Sequence, residues 1–170
     1  MIVFVLGGTR SGKSEVAERV AAQLGEPVTF VATAVVTDAN LQARVEAHRA
    51  RRPETWTTIE ATTDLPEVIR ALEGTVLVDS LGTWVANAPE MSVDVEALVA
   101  ALAARTEPTV LVSEEVGLSV HPATDAGRRF TDALGDLNRA VAAVADRTLF
   151  VIAGQALPLV SADELLRELR

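Results

Sequence analysis

Ile2-Val3-Phe4-Val5-Leu6-Gly7-Gly8-Thr9-Arg10-Ser11-Gly12-Lys13-Ser14 is the stretch on which the fold turns. Its first five residues are continuously apolar, as in a strand buried on both faces. The eight that follow match the pattern Gly-x-x-x-x-Gly-Lys-Ser, in which a glycine-rich loop curls backbone N–H groups around phosphate. Beyond them Val16, Ala17, Val20, Ala21 and Leu24 recur at helical spacing, and Gly25 stops the run. A buried strand, a phosphate-type loop and an amphipathic helix in that order supply the context that the motif requires. The helix N-terminus adds free donors and a partial positive charge. Lys13 would reach the β and γ phosphates, and the Ser14 hydroxyl would take a magnesium position. The bland alternative is a glycine-rich turn that meets a lysine by chance. Lys13 is, however, the one lysine of the chain, the other fourteen basic side chains being arginine. A sequence that otherwise avoids lysine keeps it where a compact point charge suits phosphate.

Outward from the loop, apolar segments alternate with helical ones. Strands are expected at Val28–Ala32, Thr75–Val78, Thr109–Ser113 and Thr148–Ala153. Helices are expected from Asp38 to the break at Pro53, from Asp64 to Gly74, over 92–105, over 123–145, and over 161–170. The pattern predicts an α/β fold of the P-loop NTPase type: three layers, with a mostly parallel central sheet flanked by helices. No repeat or linker divides the chain, so residues 1–170 read as one domain. Ligands of such sheets bind at the carboxyl ends of the strands. Gly7-Gly8, Thr33, Asp79, Glu114-Glu115 and Gly154-Gln155 stand there. Asp79, closing Val76-Leu77-Val78, is the candidate second magnesium ligand; a loop aspartate or helix cap is the alternative.

Composition narrows the function. The formal charge is −9, which disfavours a nucleic-acid partner. There is no cysteine, so disulfides and thiolate metal sites are excluded. No segment approaches the roughly 20 apolar residues of a membrane span, and a cytoplasmic location is expected. An Asn-Lys-x-Asp guanine element cannot occur in a chain with one lysine, and no Leu-Ser-Gly-Gly-Gln signature is present. What remains is a small kinase-like transferase or a nucleotide-binding module without turnover.

His48 is the next clue. Leu41, Val45 and His48 share one helical face, with Arg44, Arg49, Arg51 and Arg52 nearby. One reading is a half-buried histidine beside a solvated basic face. The other is a nucleophile: a neutral imidazole attacks a nucleotide α-phosphate and expels pyrophosphate, while arginines neutralise the developing charge. His121, in the loop Ser119-Val120-His121-Pro122, is read as incidental.

At this point the order of segments resembles the bifunctional adenosylcobinamide kinase / adenosylcobinamide-phosphate guanylyltransferase family. The resemblance runs to about Leu159. It rests on the loop at 7–14, Ala32-Thr33-Ala34, Arg44-Val45-Glu46-Ala47-His48, Arg52-Pro53 with Trp56 and Glu60, Val78-Asp79-Ser80-Leu81, and Glu115-Val116-Gly117 with Pro122. It implies that His48 is the guanylylated residue. It places Gly7, Gly8, Thr9, Arg10, Ser11, Gly12, Lys13 and Ser14 on the triphosphate. Thr33, Ala34, Val35, Arg49, Ala50, Arg51, Arg52, Glu60 and Asp79 would surround the nucleotide. Ser14 and Asp79 would hold Mg2+, with Glu115 as a further candidate. GTP and ATP would be substrates, adenosylcobinamide and its phosphate the corrinoid partners, and the protein a homo-oligomer, a trimer. One departure stands out: the family often has Asn before Glu-Val-Gly, and here that residue is Glu114. A carboxylate there, near the phosphates, would weaken binding or bring another magnesium, or it would point away, which leaves Glu115 as the safer site candidate.

Overall fold

Residues 1–35, 46 and 49–168 are described by the structure, a computed structural model. β1 (Ile2–Gly7) is buried along its whole length. Its side chains alternate between two cores: Phe4 and Leu6 enter one, Val3 and Val5 the other. A strand covered on both faces needs apolar residues at every position, which is why the run has no polar alternation.

The remaining elements are α1 (Lys13–Leu24), β2 (Val28–Ala32), β3 (Thr57–Glu60), α2 (Leu65–Ala71), β4 (Thr75–Asp79), α3 (Leu81–Asn87), α4 (Val95–Ala104), β5 (Thr109–Glu114), α5 (Asp125–Val144), β6 (Arg147–Ile152), β7 (Gln155–Leu159) and α6 (Ala162–Glu168). Among the described residues, seven strands form one sheet in the order β3-β2-β4-β5-β1-β6-β7. Every neighbouring pair is parallel except β6 and β7. α1 covers one face through Ala17 and Ala21. Residues of α2, α3, α4 and α5 cover the other, around Leu65, Ile69, Trp84, Leu98, Leu134 and Leu137. The expected three-layer arrangement with a mostly parallel sheet is thus the one observed. Among the described residues, no helix is long and apolar enough to cross a membrane.

The register places the site. Gly7 on β1 pairs with Glu114 on β5, Asp79 on β4 pairs with Val112, and Ala32 on β2 pairs with both Asp79 and Glu60. The carboxyl ends of four adjacent strands and β1 therefore open on the same side of the sheet.

Four elements differ from expectation: β3, α3, α4 and β7. β3, Thr57-Thr58-Ile59-Glu60, is a short edge strand with little burial, so it carries no apolar run. α3 begins at Ser80, whose side chain accepts a hydrogen bond from Thr83 N in a reciprocal capping box, and it brings Leu81, Trp84 and Val85 into the core. α4 starts at Val95, not at 92, because the Asp94 side chain caps it by accepting from Ala97 N at 2.8 Å. β6 and β7 form a hairpin in which Ile152 pairs with Gln155. Its turn residues Ala153 and Gly154 both have positive φ, 50° and 75°, as in a type I′ turn. An alanine is an uncommon occupant of that position, so the turn carries no sequence signal. The expected helix over 38–52 falls mostly outside the described residues.

Candidate nucleotide site

The loop between β1 and α1 is held by its own backbone. Ser11 N donates to Gly8 O at 3.2 Å, Val16 N to Gly12 O at 3.0 Å, and Lys13 N to Ser11 Oγ at 3.3 Å. A neighbouring turn supports it from outside: Gly154 N donates to Ser11 O at 2.7 Å. Gly12 has φ 92°, and a Cβ there would stand 3.2 Å from Gly154 Cα. Both the left-handed backbone and the close approach select glycine at this position. On β1's other side, Glu115 N donates to Gly7 O at 3.2 Å.

A pocket opens beside the loop. Lys13, Ser14, Ala34, Arg49, Arg52, Glu60 and Asp79, all expected from the sequence, line it. So do Phe30, Ala32, Thr58, Ser80, Thr83 and Glu114, which were not assigned to it. Phe30 reads as a core residue of β2, and so it is in part, but the Arg52 guanidinium stacks over its ring at 3.6 Å from the centroid. Such a contact gives a desolvated arginine a fixed plane. Burial lowers the Arg52 pKa from its ordinary value, against the pull of Glu18 and Asp79.

Asp79 lies at the end of β4, partly open to the pocket but largely enclosed by protein. Desolvation raises its pKa, opposed first by a hydrogen bond from the Ser14 side chain and then by Lys13, Arg52 and Arg51. A hydroxyl and a carboxylate that already touch are hard oxygen donors of the kind Mg2+ takes. An enclosed carboxylate whose charge is disfavoured gains most from a cation. The residues therefore fit that metal.

Other expected site residues stand elsewhere. Thr33 is fully buried: its Oγ1 donates to Ser80 O at 2.6 Å and accepts from Ser80 N at 2.9 Å. Its Oγ1 also bonds Thr83 Oγ1. Thr33 thus ties β2 to the start of α3 and does not line the pocket. Arg51 pairs with Glu18 of α1 at 3.5 Å, on the far side of Arg52. Val35 and Ala50 are exposed and are not among the lining residues. His48 lies outside the described residues.

Of the two acidic residues at the end of β5 and just beyond it, Glu114 lines the pocket and Glu115 does not. Glu115 Oε1 accepts from Gly117 N at 2.6 Å within its own loop, and the residue borders a separate surface depression with Asn138. Glu114 points into the pocket. Its Oε1 lies 3.5 Å from Lys13 Nζ, and Ser80 Oγ is 3.1 Å from each of its oxygens. Glu114, the last residue of β5, pairs with Gly7 at the entry to the phosphate loop, and Glu115 lies beyond the strand end.

Fold and site together define a P-loop nucleotide-binding protein. Solved structures with the same fold include the flagellar accessory protein FlaH from Methanocaldococcus jannaschii, with a TM-score of 0.55 at 15% identity over 93% of this chain and 77% of that one. An ATPase from a bacterial type III secretion system gives a TM-score of 0.50 at 10% identity over 97% of this chain and 60% of that one. The sequence goes further. Residues 3–159 match the family model described as cobinamide kinase / cobinamide phosphate guanyltransferase, and the chain belongs to that family. Relatives include the bifunctional adenosylcobalamin biosynthesis protein CobP of Pseudomonas aeruginosa, 38% identical over 91% of this chain and 95% of that protein. The bifunctional adenosylcobalamin biosynthesis protein CobU of Escherichia coli is 32% identical over 91% and 97%.

Proposed function

We propose that this enzyme phosphorylates the side-chain hydroxyl of adenosylcobinamide from ATP or GTP, then transfers GMP from GTP to adenosylcobinamide phosphate through His48. Family membership supports the two activities. The observation that carries the reading is a pocket lined by cations from two separate parts of the chain. Lys13 and Ser14 of the loop line it together with Arg49 and Arg52, and His48 immediately precedes Arg49 in the chain. Phosphoryl transfer needs charge neutralisation at the terminal phosphate, whereas nucleotidyl transfer needs it at the α-phosphate.

In the second reaction an imidazole nitrogen of His48 attacks the α-phosphorus of GTP. The bond to the α–β bridging oxygen breaks and pyrophosphate leaves. A phosphate oxygen of adenosylcobinamide phosphate then attacks the same phosphorus, the P–N bond breaks, and adenosylcobinamide-GDP departs from a restored imidazole. Arg49 and Arg52 bind and orient the nucleotide phosphates. Ser14 and Asp79 would hold Mg2+, which when bound neutralises phosphate charge. The same reading includes a homo-oligomer, a trimer, and a cytoplasmic location; sedimentation equilibrium tests the first.

Incubation with GTP labelled at the α-phosphate is the direct test. An acid-labile, base-stable protein adduct is expected, discharged by adenosylcobinamide phosphate and lost in His48→Ala. A wild-type protein that forms product yet never carries label would show that transfer is direct and that His48 is no nucleophile.

A further inference from the structure

Glu114 occupies a site built to hold a carboxylate. The end of β5 is anchored from behind by two buried side chains. Asn138 Nδ2 donates to Glu114 O at 3.0 Å, and Ser113 Oγ donates to Asn138 Oδ1 at 2.6 Å. In front, the carboxylate accepts from Ser80 Oγ and lies against Gly82. A Cβ on residue 82 would overlap Glu114 Oε2, so the first turn of α3 leaves the space that this carboxylate fills. Its side chain remains 28% exposed, and the exposed part faces the pocket.

The neighbour of this carboxylate defines its environment. Lys13 is the loop cation that reaches the β and γ phosphates of a bound triphosphate. A carboxylate 3.5 Å from its ammonium therefore stands beside the terminal phosphate. An anion there repels phosphate oxygens and cannot serve as their ligand. At that place it can bind a cation such as Mg2+ or a neutral hydrogen-bond donor, and phosphorylation brings the donor: the acceptor hydroxyl.

We propose that Glu114, standing where the family often has Asn, is a catalytic residue of the phosphorylation step in this chain, accepting the proton of the attacking alcohol. This rests on the phosphorylation activity proposed above. The hydroxyl hydrogen-bonds to the carboxylate as its oxygen bonds to the γ-phosphorus. The bond from that phosphorus to the β–γ bridging oxygen breaks, and the nucleoside diphosphate leaves with the bonding pair. The proton ends on Glu114 and passes to water through the open mouth of the pocket. Guanylyl transfer makes no such demand, because the attacking phosphate oxygen is already ionised. Glu114 therefore belongs to one of the two reactions, and that asymmetry makes the assignment testable.

Glu114→Gln keeps the shape and the bond from Ser80 but removes the basicity. Wild-type enzyme is assayed first, with γ-labelled nucleotide and adenosylcobinamide; the variant follows, with nucleotide affinity measured by equilibrium titration. The phosphorylation kcat is expected to fall by roughly 100-fold or more. Nucleotide affinity should hold or tighten, since an anion beside the phosphates is gone, and Glu114→Asp should restore part of kcat. The loss in guanylyl transfer from adenosylcobinamide phosphate should be far smaller. A phosphorylation kcat within about threefold of wild type overturns the proposal, and so does an equal fall in both activities together with nucleotide affinity, which marks a purely structural role. If the wild-type protein itself phosphorylates nothing, the kinase reading falls and takes this one with it, and the failure is recognisable because it precedes any substitution.

Discussion

Glu18 shows how a single ionisable group divides between stability and position. It lies on the buried face of α1, and its carboxylate pairs with Arg51 at 3.5 Å. Desolvation raises its pKa despite the pull of Arg51, so removal from water outweighs the attraction. The folded-state value lies above the unfolded one. The stabilising contribution of the protonated form is thus complete below the unfolded value and lost as pH rises through the raised folded value. Glu18→Gln, neutral throughout, keeps that contribution at pH 7. Arg51 is 44% exposed in its side chain and is not stranded by the change. The variant should therefore melt about 1–4 °C above wild type at pH 7. The advantage should vanish near pH 4, where the wild-type carboxyl is protonated as well. Scanning calorimetry across that range checks it; a lower Tm at pH 7 would mean the ion pair is net stabilising. Glu18 was not singled out in the sequence, because a glutamate on an amphipathic helix reads as solvent-facing.

Arg105, after α4, ties three elements together at the opposite end of the sheet from the pocket. Its guanidinium donates to Ile69 O at 2.9 Å, to Leu72 O, and to Gly74 O at 2.6 Å, while Nε donates to Thr109 Oγ1 at 3.0 Å. Ile69 and Leu72 are at the end of α2, where helix carbonyls have no partner of their own. Only 5% of the side chain is exposed. Arg105→Met should therefore cost about 3 kcal/mol by urea unfolding, since it strands several carbonyls at once. Nucleotide affinity of the folded variant should be unchanged, because these contacts lie at the amino ends of β4 and β5. Elements like this decide what a sequence discloses. β1, β2, β4 and β5 were legible because burial on both faces leaves an unbroken apolar run. α1 and α5 were legible because one face alone is buried. β3 was not, since an edge strand closing at Glu60 needs few apolar residues, and α3 was not, since its opening Leu-Gly-Thr-Trp has no repeat long enough to show a period. The site divides the same way. Lys13, Ser14 and Asp79 were readable from motif and strand end. Thr33 and Glu114 were not, because only the register tells which side chain at a strand end turns toward the ligand.

At the scale of the whole molecule, the pocket joins parts distant in sequence. Lys13 and Ser14 follow β1, Ala32 and Ala34 come from the end of β2, Glu60 ends β3, Asp79 ends β4 and Glu114 ends β5. Five of the seven strands thus contribute their carboxyl ends, and the triphosphate proposed to bind there would bridge them. Ligand that binds the folded chain alone raises its stability by mass action, about 2.7 kcal/mol at a concentration 100 times Kd. For a chain of this length that corresponds to a Tm increase of roughly 5–11 °C. The gain should grow with the logarithm of nucleotide concentration and should not level off, as it would for a site confined to one locally folded segment. Lys13→Ala removes the cation proposed to reach the terminal phosphates and leaves the core untouched. It should therefore keep the Tm of the nucleotide-free protein within about 2 °C, because a substitution outside the packed core costs little. Its shift with GTP should largely disappear. Differential scanning fluorimetry over a GTP series, on both proteins, separates the outcomes. A full nucleotide-induced shift in Lys13→Ala would place the binding energy elsewhere than the loop, and a collapse of its nucleotide-free Tm would mean that the Lys13–Glu114 contact is a structural support rather than part of a site waiting for phosphate.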